Sequence, residues 1–225
     1  MSNLLIIFAK APIPGLVKTR LFPHLSFEEA AELHGAFLAD TVDTALSVPD
    51  TDACIAYTPD ESLEVLRGLY GERIATYMPQ EGPGLGERMD RAFGRAFETG
   101  AQRAAIIGSD IPTLPAGYIT EAFRLLDDAD LVLGPSEDGG YYLVALKRPA
   151  PGIFEGIDWS GPKVFEDTMS RARSLGLRVD QLPKLNDVDT IDDLKRLSGS
   201  PLPAHTSRVV SKFAVRLKAG HVWNI

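Results

Sequence analysis

The sequence holds one cysteine, Cys54, inside the apolar run Ala53-Cys54-Ile55-Ala56. It can form no internal disulfide, core packing is its expected role, and a cytoplasmic location fits. The N-terminus lacks a basic region followed by a long apolar core, so no signal peptide is expected. No apolar stretch approaches the roughly 20 residues a membrane span needs. Positive charge is also short: 23 Lys and Arg face 31 Asp and Glu, a net charge of −8. The molecule as a whole should repel nucleic acid and anionic membranes, and any basic site must be local. There is no Cys/His metal cluster, no Gly-x-x-x-x-Gly-Lys-Ser/Thr phosphate loop, no Gly-x-Gly-x-x-Gly and no serine elbow. Internal repeats and low-complexity segments are missing as well.

What is present suits one α/β domain. The 225 residues are 44% hydrophobic and 24% charged, the profile of a globular protein able to build a full core. Residues 4–9 form a continuous apolar run, which reads as a strand buried on both faces. It ends in a loop stiffened by Pro12 and Pro14, with Gly15, that carries Lys10, Lys18 and Arg20. Such a loop either holds phosphates or simply exposes solvated cations. Ser26 with Glu29, and Thr190 with Asp193, have capping-box spacing and predict helix starts. Apolar runs and helical stripes then alternate: strands near 53–57, 74–78, 104–108, 130–134, 141–146 and 178–182, and helices near 26–45, 62–70, 85–98, 118–126, 163–175 and 191–197. That alternation predicts a mostly parallel sheet with helices on both faces. The strand at 141–146 breaks strict alternation and is expected to run antiparallel. After residue 198 the composition shifts. Residues 199–225 carry Arg208, Lys212, Arg216 and Lys218 and no acid, and Val209, Phe213 and Leu217 recur at helical spacing. We therefore expect a main domain over 1–198 and a basic tail over 199–225, with a short amphipathic helix that either docks on an acidic core or meets a partner surface.

Several acids stand where ligands collect in open α/β sheets, beyond the carboxyl ends of strands. Asp110 follows the apolar strand 104–108, and Pro112 prevents that strand from continuing. It reads as a ligand for a hard cation, with an N-cap or turn role as the alternative. Asp187 and Asp189 follow the last strand. If extended they share a face and complete the metal site, and otherwise they cap the next helix. In 137–141, Asp138 is a candidate catalytic acid or base, with Gly139, Gly140 and Tyr141 beside it, or the stretch is a plain β-turn. Trp159 is a candidate platform for the acceptor, or core.

The stretches 8–21 (Phe-Ala-Lys-Ala-Pro-Ile-Pro-Gly-Leu-Val-Lys-Thr-Arg-Leu), 108–114 (Gly-Ser-Asp-Ile-Pro-Thr-Leu), 138–143 (Asp-Gly-Gly-Tyr-Tyr-Leu) and 186–190 (Asn-Asp-Val-Asp-Thr) occur in this order. Together they resemble a bacterial family of GT-A-type glycosyltransferase-like proteins, some of them assigned to arsenosugar biosynthesis. The likeness spans residues 3–198. Phospholactate guanylyltransferase and, more distantly, molybdenum-cofactor guanylyltransferase share the fold and a similar first loop. The resemblance implies a GT-A, nucleotide-diphospho-sugar transferase-like fold, a Rossmann-like three-layer sandwich. It assigns Lys10, Lys18 and Arg20 to the phosphates, with Gly15 and Gln80 also on the nucleotide. It gives Asp110 to Mg2+ or Mn2+, the metal that Asp187 and Asp189 join in the reading of the residues above, and places Asp138, Gly139, Gly140, Tyr141 and Trp159 near a small-molecule acceptor. The first loop lacks the Gly-Gly pair common in nucleotidyltransferases, and 109–111 offers one aspartate rather than Asp-x-Asp. The single aspartate weakens a standard glycosyltransferase reading, but the missing glycine pair weakens nucleotidyl transfer, and on that ground glycosyl transfer from a nucleotide sugar ranks first. Nucleotidyl transfer from a nucleoside triphosphate to a phosphorylated acceptor comes second, and non-catalytic nucleotide binding third. Self-association into a homo-oligomer stays open.

Overall fold

The first apolar run is strand β1 (Asn3–Ala9), and its alternation is buried on both sides, with Leu5 and Ile7 facing one core and Ile6 the other. A strand of this kind belongs in the middle of a sheet. The computed structural model, which describes residues 2–219, places it there. The other strands are β2 (Thr51–Tyr57), β3 (Thr76–Pro79), β4 (Arg103–Ile107), β5 (Leu131–Pro135), β6 (Tyr141–Leu146) and β7 (Val179–Gln181). They form one seven-stranded sheet in the order β3-β2-β1-β4-β6-β5-β7. β1 pairs in parallel with β2 and β4, β2 with β3, and β5 with β7, while β6 runs antiparallel to both β4 and β5. The mostly parallel sheet and its one reversed strand agree with the sequence pattern.

Helices α1 (Phe27–Leu46), α2 (Ser62–Tyr70) and α4 (Ala116–Leu125) cover one face, through Leu38, Val42, Leu66 and Phe123. Helices α3 (Leu85–Glu98) and α5 (Val164–Ser174) cover the other, through Met89, Phe93 and Ala172. Cys54 is fully buried in that second core, and burial pushes its thiol up to about 12, which makes it inert packing. Both capping boxes form, Ser26 with Glu29 on α1 and Thr190 with Asp193 on α6 (Ile191–Ser198).

The basic tail carries α7 (Ala204–Ala219), which docks on α1 and α6. Val209 and Phe213 are buried there; the side chains of Arg216, Leu217 and Lys218 lie outside the described residues. Asp40 on α1 accepts the backbone N–H groups of His205 (3.1 Å) and Thr206 (2.7 Å) and so caps α7. No helix among the described residues is long and apolar enough to cross a membrane.

The carboxyl ends of β1 through β5 and β7, and the start of the reversed β6, all open on the same sheet edge. β1 lies where the strand order reverses, between β2 and β4, so the crevice for ligands falls at its end.

Candidate functional site

The loop after β1 turns at Gly15 (φ 78°) and again at Lys18 (φ 48°), then enters one turn of 3-10 helix at Thr19–Leu21. The left-handed Lys18 backbone turns its side chain inward. Only 4% of that side chain is exposed. Its Nζ lies 2.6 Å from Asp110 and 2.9 Å from Asp189, and it donates to the Val188 carbonyl at 2.6 Å. An ammonium has three N–H donors, and these three acceptors use all of them. Burial works to lower the Lys18 pKa, and the two carboxylates outweigh it, so the net shift is upward. In the same way burial works to raise Asp110, and Lys18 turns the net shift downward. Lys18 therefore sits beneath the acids as their counter-ion. Lys18 still lines the neighbouring cation-rich cavity, with its ammonium committed to these three acceptors. Val188 N donates to the Asp110 carbonyl at 3.0 Å, which zips the loops after β4 and β7 together.

The remaining cations do face open space. Lys10, Arg20 and Arg88 line a cavity of about 550 Å³ with Gln80, His34, Leu16 and Leu85. Among the described residues Lys10 and Arg88 have no carboxylate within ion-pair distance, and Arg20 is 75% exposed at 3.5 Å from Asp189. Arg88, in the first turn of α3, stands at a helix start that the sequence marks as favouring anions, but it is not among the candidate site residues named above. Its Nε donates to the Gly82 carbonyl at 3.0 Å, and the uncapped helix start beside it favours anions. The signal was a cation directly after the second Pro/Gly loop. His34 is buried, with Nε2 at 3.2 Å from the Lys10 carbonyl, which makes that nitrogen the donor; burial holds the ring below its ordinary pKa. Gln80 lines this cavity while its amide donates to the Ala56 carbonyl at 2.8 Å. Gly15 does not line it and serves as a hinge of the loop.

Asp110 and Asp189 also line a second, adjoining cavity of about 640 Å³, together with Asp138, Asp187, Tyr141 and Trp159. Thr190 caps α6, so the Asp189 side chain is left for Lys18 and Arg20. Asp187 has no ion-pair partner among the described residues. Burial, then the neighbouring Asp138 and Asp189, push it up to about 6. Asp138 accepts the Ser136 hydroxyl and Gly140 N (2.9 Å), so one carboxylate oxygen is committed to its own turn. Gly140 lines the cavity and Gly139 packs behind it against Pro162.

Asp110, Asp187 and Asp189 offer the hard oxygen donors that Mg2+ and Mn2+ prefer. The half-buried Asp187, repelled by two other acids that outweigh the pull of Lys18, is an electrostatic environment that fits such an ion. The three are not gathered closely in the structure. Among the described residues the group of three ligand side chains within 4.8 Å of one another is Asp40, Asp43 and His205, at the α1–α7 junction. There both Asp40 oxygens are taken by the α7 cap, and Asp43 pairs with Arg73 (2.6 Å), so the group clasps the helix.

With this geometry in view, residues 41–161 match the family described as "Uncharacterized protein conserved in bacteria (DUF2064)". The chain belongs to that family. It is 32% identical over 185 residues to a phosphoenolpyruvate guanylyltransferase of Sphaerobacter thermophilus, covering 81% of this chain and 86% of the relative. It is 29% identical over 216 residues to a 3-phospho-D-glycerate guanylyltransferase of Phenylobacterium zucineum, covering 90% and 93%. A crystal structure from Desulfovibrio desulfuricans G20, assigned as a nucleotide-diphospho-sugar transferase, superposes with a TM-score of 0.90 at 32% identity and covers 97% of this chain and 98% of its own. The expected fold is thus the observed one. No link to arsenosugars emerges from these relatives.

Proposed function

We propose that the chain is a nucleotide-using transferase that moves a nucleotidyl group from a nucleoside triphosphate to a phosphorylated acceptor, releasing pyrophosphate. The observation that carries this reading is the division of one cleft by charge. Lys10, Lys18 and Arg88 line one half, Asp138 and Asp187 line the other, and Arg20, Asp110 and Asp189 stand at the border and line both. The guanylyltransferase relatives support it and favour guanosine as the nucleoside.

In this reading Lys10, Arg20 and Arg88 grip the triphosphate, and Leu16 and Leu85 flank the nucleoside. Asp110, Asp187 and Asp189 would hold Mg2+ or Mn2+, which when bound offsets charge on the reacting phosphates. An acceptor phosphate oxygen attacks the α-phosphorus, the bond from that phosphorus to the bridging oxygen breaks, and the electron pair leaves with pyrophosphate. The protein supplies position and charge, as phosphoryl chemistry requires, and no protein nucleophile is needed. Lys18 bridges Asp110 and Asp189 in a fixed geometry.

Glycosyl transfer from a nucleotide sugar, ranked first from the missing Gly-Gly pair, is the second reading. It is favoured by the assignment of the superposing structure. Thermal shift with Mg2+ and panels of triphosphates and nucleotide sugars separates the two. Stabilisation by GTP, lost in Asp110→Asn, with pyrophosphate release once a phosphorylated acceptor is added, is the expected result. Stabilisation by sugar nucleotides alone selects the second reading, and no stabilisation by either rejects both.

A further inference from the structure

The acceptor half of the cleft is poorly equipped for a second anionic group. Its wall carries Asp110, Asp138, Asp187 and Asp189 against one guanidinium, the exposed Arg20. Most neutral donors nearby are already committed, the exception among the described residues being the Trp159 indole N–H. The Ser136 hydroxyl and Gly140 N are given to Asp138, and the Ser160 hydroxyl (2.7 Å) and Ser160 N (3.1 Å) to Asp158. Gly161 N goes to the Asp158 carbonyl and Phe165 N to the Gly139 carbonyl, and Pro162 has no N–H. The Tyr142 hydroxyl donates to the Pro183 carbonyl, and the Tyr141 hydroxyl is buried away from solvent. The first turn of α5 meets acids of its own, Glu166 and Asp167.

The rest of the wall is apolar: Phe8, Leu85, Met89, Tyr141, Val164 and Trp159. It is also rigid. The Trp159 ring packs edge-on to Tyr141 with centroids 6.2 Å apart, and its indole edge lies so close to α3 that a Cβ on Gly86 would sit 2.7 Å from Nε1. An unpaired carboxylate on such a surface is costly, whereas apolar area gains.

We infer that the acceptor is a phosphate monoester whose remaining body is uncharged and apolar and lies against Trp159. This rests on the nucleotidyl-transfer reading and departs from the phosphorylated carboxylic acids in the relatives' names. The reacting phosphate points to the acids at the border, and the body occupies the aromatic end.

The test uses the full-length protein with Mg2+ and a non-hydrolysable GTP analogue, and titrates phenyl phosphate against 3-phosphoglycerate by calorimetry. A Trp223→Phe background leaves Trp159 as the only tryptophan, so its fluorescence reports the location. The expected result is at least ten-fold tighter binding of phenyl phosphate, with quenching of Trp159. Trp159→Leu should lose at least five-fold for phenyl phosphate and little for phosphoglycerate. Should that variant misfold, Ser160→Arg, at an exposed position that lines the acceptor cavity alone, should raise phosphoglycerate affinity and narrow the gap. Equal or tighter binding of phosphoglycerate overturns the inference, as does phenyl phosphate binding without a Trp159 response, or no binding of either while the GTP analogue binds. If no nucleotide binds, nucleotidyl transfer itself fails, and Trp159 quenching by phenyl phosphate with Mg2+ alone still decides the acceptor class.

Discussion

Lys18 connects three loops through a single atom, and two of its three partners, Val188 and Asp189, lie 170 and 171 positions away in the chain. Replacing it with Met leaves Asp110 and Asp189 facing each other without a cation. Because those carboxylates are 49% and 36% exposed, solvent screens part of the loss, and a cost of about 1–3 kcal/mol is expected. A urea midpoint for Lys18→Met measures it. The same pair sets an acid limb. Asp110 is held below its ordinary value, so its contribution is present above the unfolded pKa near 4 and is lost as pH falls through the lower folded value. In Lys18→Met that limb should flatten. Asp187 carries the opposite sign. Its folded pKa is raised to about 6, so it favours folding at low pH and that contribution is lost as pH rises between about 4 and 6. In chelator, Asp187→Asn should be more stable than the parent at pH 7.5, by about 1–2 kcal/mol after allowance for screening, with the gap closing below pH 4. A parent that stays more stable at pH 7.5 would contradict the crowding of these acids. Asp110 was legible because a fully apolar strand runs straight into it. The ion pairs of Lys18 were not, since nothing local shows that two distant aspartates meet it.

At the scale of elements, local chemistry made most of the fold readable. The capping boxes at Ser26 and Thr190 mark helix starts because their partners sit three residues on. Tyr141–Leu146 was identifiable as the odd strand because no crossover helix precedes it, and β6 does run against both neighbours. The 3-10 turn at Thr19–Leu21 was hidden because it depends on a left-handed lysine that tertiary ion pairs hold in place. The turn at 136–140 shows why both readings of that stretch were open: Asp138 closes an ordinary turn and still lines the cleft. Its rigidity comes from Gly139, at φ 91°, where a Cβ would fall 1.9 Å from the Pro162 carbonyl oxygen. Gly139→Ala should therefore cost more than about 2 kcal/mol, from backbone strain plus the forced retreat of the 160s loop. Thermal melting checks the first effect. Acceptor titration checks the second, since Asp138 and Trp159 move with the two loops involved, and an alanine variant with parental melting would show that this contact yields without cost.

Taken whole, the molecule has a third core that composition alone disguised. The tail looked like an appendage because every acid lies before it and a Pro-rich stretch precedes it. In the structure α7 pairs Lys212 with Glu32, and His205 sits 3.2 Å from Asp43. Val209, Val210 and Phe213 then pack with Leu33 and Phe37 of α1, with Leu194 of α6, and with Leu21 and Val188. Leu21 directly follows Arg20, and Val188 stands between Asp187 and Asp189, so the tail helix supports both loops that carry the charged border of the cleft. A void there should be felt at the site as well as in stability. Phe213→Ala should cost about 3–5 kcal/mol, as large-to-small core changes do. Phe123→Ala, in the core beneath α4, should cost a similar amount. The two differ in where the slack goes. Phe123 packs away from Leu21 and Val188, so under conditions where both variants are fully folded, GTP affinity should fall in Phe213→Ala and hold near parental in Phe123→Ala. Titration of GTP with Mg2+ at low temperature separates them. Equal affinity in both would mean that the tail helix stabilises the fold without setting the geometry of the cleft.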